Sequence, residues 1–327
     1  MLQRVTNFGS GGSDRPAAPV APTHAAVAHL SVQARLLRAC MRILVKRRLR
    51  ADPRIDAVRR HLALVGRLVP RPPRGTVTTQ VVAGGVKADL IATRASRPDR
   101  TILYLHGGSY VCGWPALYRD LTWRLATACR ARVLCIDYRL APEHPFPAAL
   151  DDAATAYRWL LAQGTHSQHV AVMGDSAGGG LALALMLRLR DEGCALPAVA
   201  AVVSPWTDLT FSGASVQSNA ELDPLIPVEL AAEVVALCLA GADPTAPYAS
   251  PLFGDPTGLP PTLLLVGGDD VLRDDAVRMA EKMRAAGCAV EIEVWPRMWH
   301  VWHMLVRVMP EARVAVARLC TFVADRV

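Results

Sequence analysis

Beyond Gly75, short apolar runs alternate with stretches of helical periodicity, and this alternation constrains the fold more tightly than any other feature of the chain. Six apolar runs have the length of buried strands, and they occupy residues 102–105, 133–136, 170–173, 199–203, 263–266 and 290–294. Helical periodicity separates most of these runs, at residues 150–161, 177–191 and 274–286. The pattern is typical of an α/β protein with a mostly parallel sheet that helices cover on both faces.

Two further strands are predicted ahead of these six. Residues 76–82 and 86–93 are separated by Gly84-Gly85 and have the pattern of a hairpin. Residues 207–250 interrupt the alternation with irregular sequence and a predicted helix at 227–239. An insertion after the sixth strand of an eight-stranded sheet is the simplest account.

The chain ahead of the sheet has a different character. Residues 1–24 are rich in Gly, Ser, Pro and Ala and are predicted to be a flexible lead-in. Apolar residues then recur near helical spacing across residues 25–69, with arginines on the other faces, which predicts one or two amphipathic helices. Three prolines between residues 70 and 73 end this helical region.

Positive charge is concentrated in this N-terminal part. Residues 1–74 hold 15 Lys or Arg against three Asp, a net charge of +12, so the whole-chain value of +7 leaves −5 for the remainder. The basic run at 46–50 has the composition of a segment that contacts nucleic acid or anionic lipid, but such runs are more often solvated helix faces. Since nothing else indicates nucleic-acid binding, no such partner is expected.

No targeting or membrane-spanning segment is predicted. Residues 5–15 are too polar for the apolar part of a secretory signal, and Pro16, Pro19 and Pro22 would break a spanning helix in the stretch that follows. The eight cysteines include no C-x-x-C pair and no zinc-site spacing, so buried free thiols are expected. These features favour a cytoplasmic protein without stable membrane insertion.

The sequence Gly174-Asp175-Ser176-Ala177-Gly178 matches G-x-S-x-G and lies directly between a predicted strand and a predicted helix. Acyl transfer needs a hydroxyl that projects from the sheet, and a sharp strand-to-helix turn provides it. The helix that follows directs free N–H groups at the position where negative charge develops. This context predicts Ser176 as a nucleophile and assigns Asp175 to formation of the turn.

A second glycine-containing turn, His106-Gly107-Gly108-Ser109, follows the strand at 102–105. Adjacent glycines let backbone amides approach one point unobstructed, as an oxyanion hole requires. Taken alone, the turn would be an ordinary Gly-Gly turn. Its place some 70 residues before the nucleophile favours Gly107, Gly108 and Ala177 as the oxyanion donors, with the His106 ring securing the loop through a backbone hydrogen bond.

An acid and a histidine are expected downstream, each after a late strand. Asp269 and Asp270 follow the strand at 263–266, and His300 and His303 follow the last strand. The residue pattern alone leaves both choices open. The two histidines also have the i, i+3 spacing of metal ligands, but no carboxylate or cysteine lies at the usual ligand spacing, so no metal is predicted.

Three motifs together are similar to the bacterial hormone-sensitive-lipase family of carboxylesterases. They are His-Gly-Gly at 106–108, Asp-Tyr-Arg-Leu-Ala-Pro-Glu-His-Pro-Phe-Pro-Ala at 137–148 and Gly-Asp-Ser-Ala-Gly-Gly at 174–179. The resemblance implies the α/β-hydrolase fold in a catalytic domain at 75–327. It further implies a helical cap built from residues 25–70 and an insertion at about 207–250.

The resemblance also resolves the open choices. The family's D-x-L element corresponds to Asp270-Val271-Leu272, and its Met-x-His element corresponds to Met298-Trp299-His300. It implies no metal or organic cofactor, and some members form homodimers through the last strand and helix. Within the family, two segments are most similar to short-chain esterases and monoterpene lactone hydrolases; they are 204–209 and 299–303. Ser109 and Val301-Trp302 depart from the family pattern and bear on substrate preference.

Together, the motifs and the resemblance predict a serine carboxylesterase that acts on short- to medium-chain esters through an acyl-enzyme. The expected partner is the small-molecule ester substrate. A lactone hydrolase or an amidase would use the same three side chains. A non-catalytic ligand receptor on the same fold would lack the catalytic histidine, which is present here. Four tryptophans are expected either to line a hydrophobic substrate pocket or to pack in the core; they are Trp114, Trp206, Trp299 and Trp302.

Overall fold

The computed structural model describes residues 30–327, so the predicted lead-in at 1–24 lies outside the described residues. Eight strands form one sheet, and they span Val77–Ala83 (β1), Val86–Ala92 (β2), Arg97–Leu105 (β3), Ala131–Ile136 (β4), Val170–Asp175 (β5), Val199–Val203 (β6), Thr262–Gly267 (β7) and Val290–Trp295 (β8). Their order is β1-β2-β4-β3-β5-β6-β7-β8. The β1–β2 and β2–β4 pairs are antiparallel, and the pairs from β4 to β8 are parallel.

The helices follow the predicted alternation and add to it. They span Val32–Met41 (α1), Arg47–Ala51 (α2), Ile55–Leu68 (α3), Arg119–Ala128 (α4), Ala148–Ala162 (α5), Ala177–Asp191 (α6), Ser215–Ser218 (α7), Ala231–Leu239 (α8), Arg273–Ala285 (α9) and Pro310–Ala324 (α10). The sequence pattern did not predict α4, α7 or α10. The predicted helix at 227–239 begins with a 3₁₀ turn at Val228–Leu230 and becomes α-helical only from Ala231.

The described part of the basic N-terminal region folds as helices up to the prolines, whereas the start of the predicted helical stretch, residues 25–29, lies outside the described residues. Ser31 caps α1, because its hydroxyl accepts a hydrogen bond from the Ala34 N–H. A π-helical turn at Arg42–Lys46 joins α1 to α2, and Asp52-Pro53 separates α2 from α3. Within residues 30–327, no helix combines the length and apolarity that a bilayer crossing requires.

Both faces of β5, β6 and β7 and of the second half of β3 are buried, and successive residues point to opposite faces. On β3, Ile102 and Tyr104 pack in one cluster with α4 and α10, whereas Leu103 and Leu105 pack in the other with α5, α6 and α9. The apolar runs of these central strands are therefore continuous because each strand contributes to two cores. This double burial fixes the carboxyl ends of β3, β5 and β7, and β8 pairs with β7, so the candidate site residues project from neighbouring strand ends.

Candidate active site

Ser176 lies at the tight turn between β5 and α6. Its backbone angles are φ 54° and ψ −126°, which a residue with a side chain rarely adopts. The turn is compact, since a Cβ atom on Gly178 would lie 2.1 Å from the carbonyl oxygen of Leu105. The strand-to-helix turn therefore matches the prediction, and it projects the Ser176 hydroxyl toward the loop that follows β8.

Three side chains form a continuous hydrogen-bonded relay. The Ser176 Oγ lies 2.9 Å from Nε2 of His300. The opposite ring nitrogen, Nδ1, lies 3.1 and 3.2 Å from the two carboxylate oxygens of Asp270. Asp270 and His300 follow β7 and β8, so the parallel strands bring together residues that lie far apart in the sequence. This arrangement can remove the hydroxyl proton of a serine and keep the imidazole in one tautomer.

The two competing residues lie elsewhere. Asp269 pairs with the Arg38 guanidinium of α1 and not with a histidine. Both ring nitrogens of His303 are buried and have no hydrogen-bond partner within residues 30–327. Burial lowers the pKa of His303 to about 3, so this ring is neutral in the physiological range. In the structure, Asp270 and not Asp269 contacts the imidazole, and His300 and not His303 contacts Ser176.

The electrostatic surroundings of His300 favour its protonated form. Burial alone would lower its pKa, but the nearby carboxylates of Asp270, Asp223 and Asp175 outweigh burial and raise the pKa above its usual value. A raised pKa makes the neutral form of the imidazole a stronger base. The imidazolium that forms when it takes the serine proton is stabilised by the same carboxylates.

The predicted oxyanion donors are only partly free. The Gly107 N–H donates to the Tyr118 hydroxyl at 2.8 Å, so it is engaged within the protein. By contrast, no hydrogen bond between described residues engages the N–H groups of Gly108, Ser109 or Ala177. The expectation that Gly107 offers a free donor is therefore corrected, because the hydroxyl of a buried tyrosine occupies its N–H. Ser109 takes its place among the free donors.

A buried network joins the nucleophile turn to this loop. The Asp175 carboxylate accepts hydrogen bonds from Tyr104 at 2.8 Å and from Tyr118 at 2.9 Å, and Tyr118 accepts from Gly107. Burial raises the pKa of Asp175 to about 6. The sequence reading assigned Asp175 to the turn, but its carboxylate also reaches across to the loop after β3. Tyr118 lacked any sequence signal for this role.

His106 supports the same loop from its other side. Its Nδ1 donates to the Gly107 carbonyl at 2.8 Å, which is a backbone hydrogen bond of the kind predicted. The ring stacks on Tyr138, with centroids 4.2 Å apart, and the Tyr138 hydroxyl donates to the His106 carbonyl. Because burial lowers the pKa of His106 to about 4, the ring is a neutral packing element.

Asp223 is a second buried carboxylate beside the relay, and sequence reasoning missed it. One oxygen from each of Asp223 and Asp270 and one nitrogen of His300 lie within 4.8 Å of one another. The His300 nitrogen that faces the carboxylates bonds to Asp270, and Asp223 accepts backbone N–H groups. Asp223-Pro224 carries a turn signal at most, so no motif could have found this residue.

An apolar cavity of about 160 Å³ opens above Ser176. Its walls come from the N-terminal helical region, the loop after β3, the segment between β6 and α8, α8 itself and the residue before α9; they are Leu49, Pro53, Ile55, Val58, Ser109, Val111, Cys112, Trp206, Phe211, Leu225, Ile226, Pro227, Leu230, Ala231, Val234 and Leu272. Of the four tryptophans, Trp206 lines this cavity, whereas Trp299 and Trp302 are fully buried in the core. The cavity is smaller than the roughly 300–1,000 Å³ of clefts that hold drug-sized ligands.

Basic side chains attach the N-terminal helices above this cavity. Arg42 and Lys46 donate to backbone carbonyls of the segment at 220–223, and Arg50 pairs with Glu221 and Glu229. From α3, Arg59 donates to the carbonyls of Val111 and Ala141, both at 2.8 Å, and pairs with Glu143. The basic run thus contacts protein carbonyls and carboxylates, as well as solvent.

Known proteins resemble the chain in both sequence and structure. A family model described as the alpha/beta hydrolase fold matches residues 102–304. An acetyl-hydrolase of Streptomyces hygroscopicus is 46% identical over 75% of this chain and 80% of its own length. An esterase of Acinetobacter venetianus is 36% identical over 82% of this chain and 88% of its own length.

Solved structures resemble it across nearly its whole length. An esterase from the bacterial hormone-sensitive-lipase family has a TM-score of 0.86 and 39% identity, and the alignment covers 91% of this chain and 99% of that protein. An esterase soaked with p-nitrophenyl butyrate has a TM-score of 0.85 and 37% identity, with coverage of 90% and 99%. The chain belongs to the α/β-hydrolase fold family, within its bacterial hormone-sensitive-lipase branch of carboxylic ester hydrolases.

Proposed function

We propose that the chain hydrolyses short- to medium-chain carboxylic esters through a covalent acyl-enzyme on Ser176. The observation that carries this proposal is the relay from Ser176 through His300 to Asp270, open to an apolar cavity. No cofactor is needed, because the serine hydroxyl supplies the nucleophile and the imidazole moves the proton. Asp270 is buried and accepts the Nδ1–H, so it holds the tautomer that leaves Nε2 free to accept.

Acylation begins when Nε2 of His300 takes the Ser176 proton as Oγ attacks the ester carbonyl carbon. The negative charge that forms on the carbonyl oxygen is bound by the N–H groups of Gly108, Ser109 and Ala177. The imidazolium then gives its proton to the alkoxide, the bond between carbonyl carbon and alkoxide breaks, and the alcohol leaves. Water attacks the acyl-enzyme with the same base and the same donors, and this step releases the acid and restores Ser176.

The cavity supports a small acyl or alcohol group. Its lining is almost entirely apolar, so it offers no charged partner to an ionic substrate group. Two similar proteins are associated with small acyl groups. One is named an acetyl-hydrolase, and crystals of another were soaked with p-nitrophenyl butyrate. We therefore place the optimum between acetate and medium-chain acids.

The test is hydrolysis of p-nitrophenyl esters from acetate to palmitate by the wild type, Ser176→Ala and Ser167→Ala. Ser167 lies at the opposite end of β5 and serves as the matched control. We expect kcat to peak at short or medium acyl chains and to fall at least about 10⁴-fold in Ser176→Ala. Turnover of lactones or anilides but not esters would reject the substrate class, and activity retained in folded Ser176→Ala would reject the mechanism.

Two finer proposals concern location and assembly. Free thiols at all eight cysteines suit a reducing cytoplasm, and cell fractionation tests this location. Because β8 is an edge strand of the sheet, a second copy of the chain could pair with it to form a homodimer. Sedimentation as a monomer across the micromolar range would reject that dimer.

A further inference from the structure

We propose that Asp223 is a positioning residue for the catalytic histidine and that Lys46 of the N-terminal helical region holds it in place. The inference rests on the proposed ester hydrolysis, since it concerns the efficiency of the same three side chains. It assigns a role to the insertion after β6 and to the basic N-terminal region in addition to lining the cavity.

Asp223 connects the two loops that carry the acid and the base. Its Oδ2 accepts the backbone N–H of His300 at 3.2 Å and that of Val271 at 3.3 Å. Val271 directly follows Asp270, so a single carboxylate oxygen joins the loop after β7 to the loop after β8. Asp223 is fully buried, so water does not compete for these bonds. The distance between Asp270 and His300 therefore depends on Asp223.

The other oxygen of Asp223 faces the substrate cavity wall. Oδ1 accepts the N–H groups of Leu225 at 2.8 Å and Ile226 at 3.3 Å, and both residues line the cavity. The carboxylate thus uses each oxygen for a separate purpose. One holds the catalytic loops and the other shapes the wall above Ser176.

Lys46 holds the Asp223 segment from the N-terminal side. Its ammonium group donates to the Asp223 carbonyl at 2.8 Å and also to the Ala220 carbonyl. The side chain is 2% exposed, in contrast to the exposed Arg47 and Arg48 that follow it. A buried lysine requires such partners, and burial lowers its pKa. Through the backbone segment that carries Asp223, this contact joins the N-terminal helices to the relay.

The charge of Asp223 affects the relay in addition to the hydrogen bonds that Asp223 accepts. The ionisable groups that face the His300 ring are Asp270, Asp223, Asp175 and His303. The three carboxylates favour the imidazolium, whereas His303 is neutral. Removing the Asp223 charge is therefore expected to lower the pKa of His300 and to weaken the stabilisation of the imidazolium during acylation.

The central variant is Asp223→Asn, which keeps the size of the side chain. Its amide oxygen can still accept from Leu225 and Ile226, but its NH₂ group then faces the N–H groups of His300 and Val271. We expect kcat for p-nitrophenyl butyrate to fall about 10- to 100-fold, as a displacement of about 1 Å can cause. We expect KM to stay within about twofold, and the acid limb of the kcat/KM profile to move to lower pH.

Glu221→Gln is the matched control, because it removes one carboxylate from the same segment. That side chain is 76% exposed and pairs with Arg50, so kcat and the pH profile are expected to stay at wild-type values. Lys46→Met keeps the length of the side chain and the Asp223 charge but removes the donor to the Asp223 carbonyl. We expect it to lower kcat without moving the acid limb, and it tests the proposal even if Asp223→Asn does not fold.

The outcomes separate this inference from the proposed function. Wild-type ester turnover that needs Ser176, together with unchanged kcat and pH profile in folded Asp223→Asn, overturns the inference alone. Unchanged kcat in Lys46→Met overturns the part that concerns the N-terminal region. Absence of ester turnover in the wild type rejects the proposed function before either variant is compared.

Discussion

The sheet and the N-terminal helices are held by different kinds of interaction. Each central strand is buried on both faces, and buried hydrogen bonds such as Tyr118–Asp175 fix the loops at its carboxyl edge. Along α1 to α3, large apolar side chains such as Leu36 and Leu68 are exposed, and basic side chains make many of the contacts to the rest of the chain. The relay therefore lies at the edge of the buried sheet, and part of the cavity wall lies on helices that partly exposed ion pairs attach to the rest of the chain.

Among changes that leave the relay side chains in place, the largest effect is expected in the loop after β3. Gly108 adopts φ +124°, and an added Cβ atom would lie 1.9 Å from the Cys112 carbonyl oxygen. Gly108→Ala must therefore move the loop that carries two of the proposed oxyanion donors. We expect kcat to fall about 100- to 1,000-fold, which is the effect of losing one donor in such a site.

Gly85→Ala is the control for that experiment. Gly85 also has a positive φ, +106°, but an added Cβ atom would meet nothing within 4 Å. Both variants therefore carry backbone strain, and only one carries the clash. Steady-state kinetics on p-nitrophenyl butyrate, with circular dichroism to verify folding, compares them. Equal kcat values in the two variants would contradict the proposed role of the loop.

A smaller effect is expected where the N-terminal helices meet the same loop. Arg59 donates to two backbone carbonyls and forms a two-pronged pair with Glu143. Lysine has no planar fork, so Arg59→Lys cannot keep these bonds together. We expect the free energy of unfolding to fall by about 1–2 kcal/mol and KM to rise, since Val111 lines the cavity.

Arg54→Lys is the matched control, because Arg54 is 76% exposed and pairs with the neighbouring Asp52. Urea unfolding and KM for p-nitrophenyl butyrate are measured for both variants. Identical values for Arg59→Lys and Arg54→Lys would mean that the contact between α3 and the loop after β3 contributes nothing to either property.

The smallest effect concerns the pH dependence of that attachment. The Arg59 guanidinium lowers the pKa of Glu143 to about 2, below its unfolded value of about 4.3. Because the pKa of Glu143 is lower in the folded state, the ion pair stabilises the protein at pH values above the unfolded-state pKa. This stabilisation is lost as the pH falls toward the folded-state pKa. Because Glu143 is largely exposed, its contribution at pH 7 is expected to stay below about 1 kcal/mol.

Glu143→Gln tests this assignment directly. The difference in unfolding free energy between the wild type and this variant is expected to be constant above pH 5 and to shrink between about pH 5 and pH 2. Urea unfolding at several pH values measures it. A difference that does not change with pH would show that the ion pair contributes no stability.

Much of the fold could be predicted because it follows from local patterns. β6 and α6 have the predicted limits, and each of the eight predicted strands is present in the sheet. The apolar runs of β5, β6 and β7 are unbroken because both faces of these strands are buried. By contrast, the sequence reading did not identify α4 or α10, although both pack on one face of the sheet.

Site residues that belong to a sequence motif could be predicted, whereas roles that depend on contacts formed by packing could not. Chain order and loop position predict Ser176, an acid after β7 and a histidine after β8, and only the family resemblance selects Asp270 and His300. In the structure, His300 lies within hydrogen-bond distance of both Ser176 and Asp270. Which N–H of the loop is free depends on a tyrosine hydroxyl eleven residues away, a contact that only folding creates. Asp223 acts through backbone groups of distant loops, so its sequence surroundings carry no trace of the role.

The origin of the cavity lining has a consequence for divergence. Leu49, Ile55 and Val58 come from the N-terminal helical region, and Leu225 and Ala231 come from the insertion, whereas the relay comes from the ends of sheet strands. Substitutions at these lining positions can therefore change the substrate pocket, provided that Asp223 and Lys46, which join the two regions to the relay, are retained. Selection for activity on a new ester can therefore change the cavity-lining residues while the relay is retained.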